Sequence, residues 1–167
     1  APVPVVDLQT QEQRIGGAGN VALNLIALGA KAILASVIGQ DAPGQELQQM
    51  LSKAGIQTDA LIASSERKTT IKTRVISNGK QMLRIDSEDQ HDLSSTEMQV
   101  LQKAILQLLN QGIDGLLLED YNKGVLTTEL IEWLISEANV RQIPIAVDPK
   151  KKNFFAYKGC THFKPNL

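Results

Sequence analysis

The chain has 167 residues, 43% of them hydrophobic, which is enough apolar material to bury a core and excludes a disordered or low-complexity segment. Its 17 basic and 18 acidic side chains leave a formal net charge of -1, so no bulk attraction to nucleic acid or to an anionic membrane is expected, and neither is read as a partner. No apolar run reaches membrane-spanning length, and the single cysteine, Cys160, cannot form an internal disulfide; together these predict a reducing, cytoplasmic setting.

In chain order, Val3 to Leu8 and Gln13 to Ile15 are extended runs that predict a strand pair. Gly16, Gly17, Ala18, Gly19 and Asn20 then crowd bare backbone against one amide, at the start of a helix whose apolar spacing runs from Val21 to Leu28 and stops at Gly29. Free N–H groups and the positive end of the helix dipole meet there, which suits a hydroxyl oxygen or an anion. A tight strand-to-helix turn uses glycines for purely structural reasons too, so the cluster alone does not decide between the readings.

A strand from Ala32 to Ile38 leads through Gly39 to a helix capped by Asp41 and stopped at Gly55. Thr69 to Val75 and Gln81 to Asp86 flank Asn78 and Gly79, a strong hairpin signal, and neither this pair nor the first has a following helix to cover it. Both are therefore expected in a small separate sheet. Ser94 with Glu97 three residues on is a capping box, opening a helix from Ser95 to Gln111 that Gly112 closes. Gly115 to Glu119 and Pro144 to Val147 read as buried strands, with a helix from about Thr127 to Val140 between them. The alternation predicts an α/β, doubly wound sheet.

Polar groups follow each of the later strands. Glu119, Asp120, Tyr121, Asn122, Lys123 and Gly124 leave the first, Asp148, Pro149 and Lys150 leave the second, and Lys164, Pro165 and Asn166 leave the third. Ligands bind at carboxyl ends of strands in open α/β sheets, so three such exits in register predict a binding rim. Lys150 could neutralise a phosphate, although Lys151 and Lys152 beside it cannot all point at one site. His91, His162 and Cys160 lack a trustworthy metal-ligand spacing, and Trp133 fits an apolar helix face.

The frame GGAGNVA, then Gly29 and Gly39, resembles the N-terminal signature of the ribokinase-like (PfkB-type) carbohydrate kinases. APVPVV, TRVISNGKQMLRID, EDYNKG, VDPK and KPNL follow the order and spacing of one branch, the bacterial D-glycero-β-D-manno-heptose-7-phosphate kinases, which also occur as the N-terminal domain of bifunctional ADP-heptose synthases. The likeness spans essentially the entire chain. It implies a partial ribokinase-like sheet with a small β lid, formed by strands near 2–15 and 69–86, over a sugar. It also implies that the chain is a piece of a longer kinase, without the family's first strand. Asn166 matches the start of the family's NxxE motif, and the resemblance puts the glutamate of that motif, and the GAGD motif with the catalytic aspartate, beyond Leu167.

By the same resemblance, Gly16, Gly17, Asn20, Arg84, Asp120 and Lys123 bind the sugar substrate, and Lys150 and Asn166 face the nucleotide phosphates. No catalytic or metal-ligating residue is assigned within the chain. ATP and Mg2+ are the implied cofactors, a sugar phosphate the implied acceptor, and a homodimer through the lid strands the implied assembly. The activity it implies is phosphorylation of heptose 7-phosphate at its anomeric hydroxyl, for ADP-heptose and lipopolysaccharide core synthesis. Another sugar or nucleoside as acceptor, and a non-catalytic sugar-binding module, remain alternatives.

Overall fold

The computed structural model describes residues 5–166. Leu167, the residue beyond which the catalytic aspartate is expected, therefore lies outside the described residues. Helix α1, Gly17–Ala27, has Gly16 as its N-cap with extended backbone and no side-chain cap, so the turn that opens it is bare main chain. Strand β1, Ile33–Gly39, leads to α2, Ala42–Lys53, where the Asp41 carboxylate accepts the Gly44 N–H over 2.9 Å. Pro43 sits in the first turn of α2, where a missing N–H costs nothing.

Strand β2, Gln57–Ser64, pairs parallel with β1. The sequence reading omitted β2 because its alternation is weak: Thr58, Ala60 and Ala63 supply little apolar bulk. What makes it a strand is the neighbouring β1 ladder and the cover of α2 and α3, Ser95–Gln111. The capping box of α3 is present in full, with Ser94 and Glu97 exchanging hydrogen bonds.

Strands β3, Ile71–Ser77, and β4, Lys80–Ser87, form an antiparallel hairpin that stands apart from the parallel sheets. Its turn residues Asn78 and Gly79 both adopt positive φ. The third sheet is parallel, in the order β5, Leu116–Glu119, β6, Ile145–Asp148, and β7, His162–Phe163, with α4, Thr128–Val140, crossing between β5 and β6. A single 3-10 turn, Lys151–Asn153, follows β6.

One core joins these layers. Val37 of β1 and Ala60 of β2 share a cluster with Leu101 of α3, Leu118 of β5, Ile131 of α4 and Ile145 of β6, while a smaller cluster under α1 and α2 contains Ala22, Ile38 and Leu51. Trp133 and Cys160 pack at the margin of the larger one. No helix among the described residues is long and apolar enough to cross a membrane.

One expected element is absent. From Val5 to Ile15 the backbone makes no strand, and Val5, Val6 and Leu8 are exposed; Val3 and the start of APVPVV lie outside the described residues. An extended, β-branched run becomes a strand only when a neighbouring backbone edge accepts its N–H groups and a surface covers its side chains. The hydrogen bonds of this segment are instead side-chain bonds, such as Arg14 to Glu12 at 2.8 Å and Gln13 to Glu46 at 2.9 Å. The hairpin is therefore two-stranded among the described residues.

Candidate functional site

The carboxyl ends of the third sheet come out level. Glu119 pairs in register with Asp148, and Val147 with Phe163, so the loops that begin at Asp120, Pro149 and Lys164 leave the same edge. Between the two adjacent carboxylates, burial first and the Asp148 charge second raise the Glu119 carboxyl above its ordinary value, opposed by Lys164 and Lys150. Asp148 keeps one buried oxygen, Oδ1, without a hydrogen-bond partner.

The glycine corner meets this edge through Tyr121. Gly17 has φ of +57°, and a Cβ built on it would lie 3.8 Å from the Tyr121 ring. Across the ring, Lys150 Nζ stands 5.8 Å from its centroid, within cation–π range. Gly16 faces open space, with nothing within 4 Å of the position a Cβ would take, and Asn20 is exposed. Bare backbone at Gly17 and the Lys150 ammonium thus both stand against the Tyr121 ring.

The three adjacent lysines divide. Lys150 and Lys151 line a cavity of about 380 Å3 with Pro149, Phe154, Pro165 and Asn166, whereas Lys152 turns away to the Asp92 carboxylate at 2.6 Å. Asn166 Oδ1 accepts a hydrogen bond from Lys164 over 3.0 Å. Lys150 and Asn166, named separately in the sequence, are therefore brought to one concavity.

The loop after β5 is tightly sewn. Asn122 adopts φ of +53°, its N–H bonding Asp120 Oδ1 over 2.8 Å. Asp120 is buried, and its other oxygen accepts the Tyr157 hydroxyl over 2.8 Å. Its carboxylate is accordingly turned inward. Lys123 bonds Glu88, which also accepts from Lys72 at 3.1 Å. These bonds, led by those from Lys123 and Gln90, hold the Glu88 carboxyl at about 2. Arg84 lies farther out, exposed on β4 and paired with Asp86 at 3.0 Å. Lys123 and Arg84 thus belong to a chain of charges along the hairpin, through Glu88, Lys72 and Asp86.

Sequence reasoning gave Tyr121 and Asp148 a place on the rim but no individual role, and it missed Arg67 and Glu88. The first two stand inside the motifs DYNKG and VDPK, so their place after a buried strand was the available signal. Arg67 and Glu88 sit in no motif; the partners of Arg67 lie 24 to 56 residues away in the chain, and Lys123 lies 35 residues from Glu88. Among the described residues no group of three or more His, Cys, Asp and Glu is arranged to hold a metal ion.

Comparison with known proteins places the chain. Residues 1–166 match the family described as pfkB family carbohydrate kinase. The Bifunctional protein HldE of Methylobacillus flagellatus is 43% identical over 166 residues, covering 99% of this chain and 34% of that protein. The protein of the same name from Helicobacter pylori is 39% identical over 169 residues, covering 99% of this chain and 36% of that one. The chain thus spans about a third of the length of these relatives. Among solved structures, a carbohydrate kinase from Agrobacterium tumefaciens aligns at a TM-score of 0.75 with 22% identity, over 98% of this chain and 53% of that one. The tetrameric inhibited form of phosphofructokinase-2 from Escherichia coli aligns at 0.68, also with 22% identity, over 90% of this chain and 49% of that one. At these identities the structures speak to fold, which is the ribokinase-like α/β sheet the sequence predicts.

Proposed function

The chain belongs to the pfkB family of carbohydrate kinases, and on that premise we propose that it is the N-terminal part of a kinase domain that phosphorylates D-glycero-β-D-manno-heptose 7-phosphate at its anomeric hydroxyl. The likeness to the HldE proteins across 99% of the chain supports this acceptor over other sugars and nucleosides. The observation that carries the site is the open Gly16–Gly17 corner, joined to Lys150 through the Tyr121 ring.

In this reading Gly16, Gly17 and Asn20 grip sugar hydroxyls at the start of α1, and Lys123 and Arg84 meet the substrate from the rim and the hairpin. Asp120 accepts a sugar hydroxyl on a lone pair beyond those taken by Tyr157 and Asn122. Lys150 and Asn166 face the phosphates of ATP. Transfer forms a bond from the anomeric oxygen to the γ-phosphorus and breaks the bond to the bridging oxygen of ADP. The hydroxyl proton passes to a carboxylate of the longer protein, beyond Leu167. This chain's residues position both substrates and neutralise charge.

Magnesium bound with ATP supplies neutralisation of the phosphate oxygens. The buried, unpartnered Asp148 Oδ1 beside Glu119 fits a hydrated cation in charge and hardness. The hairpin serves as the lid, excluding water that competes as acceptor. Exposed Ile76, Met82, Leu83 and Ile85 give it an apolar surface suited to a second copy, in a cytoplasmic homodimer.

The test is phosphorylation by the full-length protein of heptose 7-phosphate against fructose 6-phosphate and an unphosphorylated pentose. Preference for the heptose, with ADP and a 1,7-bisphosphate as products, is expected. Sugar binding with no ADP release in any case would identify a binding module instead.

A further inference from the structure

Three acceptors, 24 to 56 residues away in the chain, converge on one buried side chain. Arg67, in the loop between β2 and β3, has a side chain only 3% exposed. Its Nε donates to Glu97 Oε1 at the start of α3 over 3.1 Å. Its Nη1 donates to the Lys123 carbonyl over 3.3 Å, and its Nη2 to the His91 carbonyl over 3.4 Å. One carbonyl belongs to the rim loop after β5, the other to the segment that leads back from the hairpin.

A guanidinium is planar, permanently charged and carries its donors in a fixed fork. Three acceptors on one fork hold fixed positions relative to one another, and shifting either loop alone breaks a partly buried bond. Other contacts close the same seam. Leu93 N–H donates to the Gly124 carbonyl over 3.0 Å, and Lys123 reaches across it to Glu88. A Cβ on Gly124 would stand 1.7 Å from the His91 carbonyl oxygen, so the two backbones touch with no room for a side chain.

The bland alternative is a buried ion pair that merely supports the fold. The amide and the hydroxyl of Ser94 both bond Glu97 Oε2, at 2.8 and 3.0 Å, so Arg67 is needed on the Glu97 side only at Oε1. A buried pair is also weak support for net stability. The distinguishing feature is where the other two donors go: one secures the rim loop after β5, the other the segment that follows the hairpin.

We infer that Arg67 is a positioning residue, which locks the Lys123 loop to the return leg of the hairpin so that lid and rim take up one shared geometry on the acceptor side. This rests on the sugar-kinase reading for its catalytic consequence, and on geometry alone for the coupling.

The test uses the full-length protein with two variants. Arg67→Lys keeps the charge beside Glu97 but loses the fork. Arg67→Met combined with Glu97→Gln removes both charges and keeps the capping box. Amide exchange is expected to rise about tenfold together in segments 88–93 and 120–124, the equivalent of one charge-assisted hydrogen bond, with β5 and β6 unchanged. In parallel, KM for the sugar acceptor is expected to rise about tenfold while KM for ATP stays within about twofold. Unchanged exchange in the two segments, a rise in only one, or an equal rise throughout the parallel sheet overturns the positioning role. Recovery of the acceptor KM in the double variant overturns it as well. Should the wild type phosphorylate no sugar, the kinase reading fails, and the exchange measurement still decides the coupling. If the double variant does not fold, Arg67→Lys supplies both measurements.

Discussion

The Tyr157 hydroxyl donates to Asp120 Oδ2 over 2.8 Å inside the core, tying the segment before β7 to the rim loop after β5. Burial first, then the bond to Asp120 and its charge, raise the phenol well above its ordinary value. Tyr157→Phe removes the donor and leaves a buried carboxylate oxygen unpaired, which costs about 1–3 kcal/mol. Denaturant unfolding checks this. The sign of the pH dependence follows from the raised value: the folded state holds the phenolic proton longer, so this stability is complete below about pH 10 and falls as pH rises above it. The Phe variant is expected to lose that alkaline slope.

Two glycine substitutions separate binding from folding. At Gly16 the backbone is extended and open, so Gly16→Val meets no clash and costs about 1 kcal/mol through the poorer N-cap. It is expected to lower sugar affinity at least about tenfold by covering the bare main chain. At Gly124, with φ of +77° and the His91 carbonyl in the way, Gly124→Ala is expected to cost at least about 3 kcal/mol. Titration calorimetry and thermal unfolding on both variants check the pair. Unchanged sugar binding by Gly16→Val would count against the corner as the sugar site.

Lys150→Met leaves the Tyr121 face and the cavity wall apolar but removes the ammonium. Loss of one charge-assisted contact to a phosphate predicts a rise of about tenfold or more in KM for ATP, with little change for the sugar. Initial rates of the full-length protein, with each substrate varied in turn, check it. Lys152→Met, which loses only the partner of Asp92, serves as the control.

Acid stability is expected to depend on two carboxylates. Burial opposes ionisation of Glu97, but bonds from Ser64, Ser94 and Arg67 outweigh it and bring the group from 4.5 to about 2; Glu88 falls to a similar value. A depressed carboxyl contributes stability that is whole above its unfolded value and is lost as pH falls, here between about 4.5 and 2. Glu97→Gln is expected to be about 3 kcal/mol less stable at neutral pH, because Arg67 is left buried and unpaired. Its stability should then fall less steeply on acidification. Urea unfolding at a series of pH values checks both.

The sequence by itself determined the local elements whose signals are short-range. Asp41, Ser94 with Glu97, Thr127, Asn78 with Gly79 and the glycine stops act on neighbours within about four residues, so their hydrogen bonds are readable from spacing. It also placed the glycine frame and the three strand exits, because period and order along the chain specify an α/β sheet and its carboxyl edge. Only the tertiary structure decided the rest. Strand β2 forms because β1 offers it an edge, and the run from Val5 to Ile15 makes none although its composition is as favourable. Likewise, the inward turn of Asp120 depends on Tyr157, and the fork of Arg67 on carbonyls 24 and 56 residues away. Such contacts arise only once the chain has closed on itself, and a carbonyl, present in every residue, leaves no mark in the sequence to announce which side chain will find it.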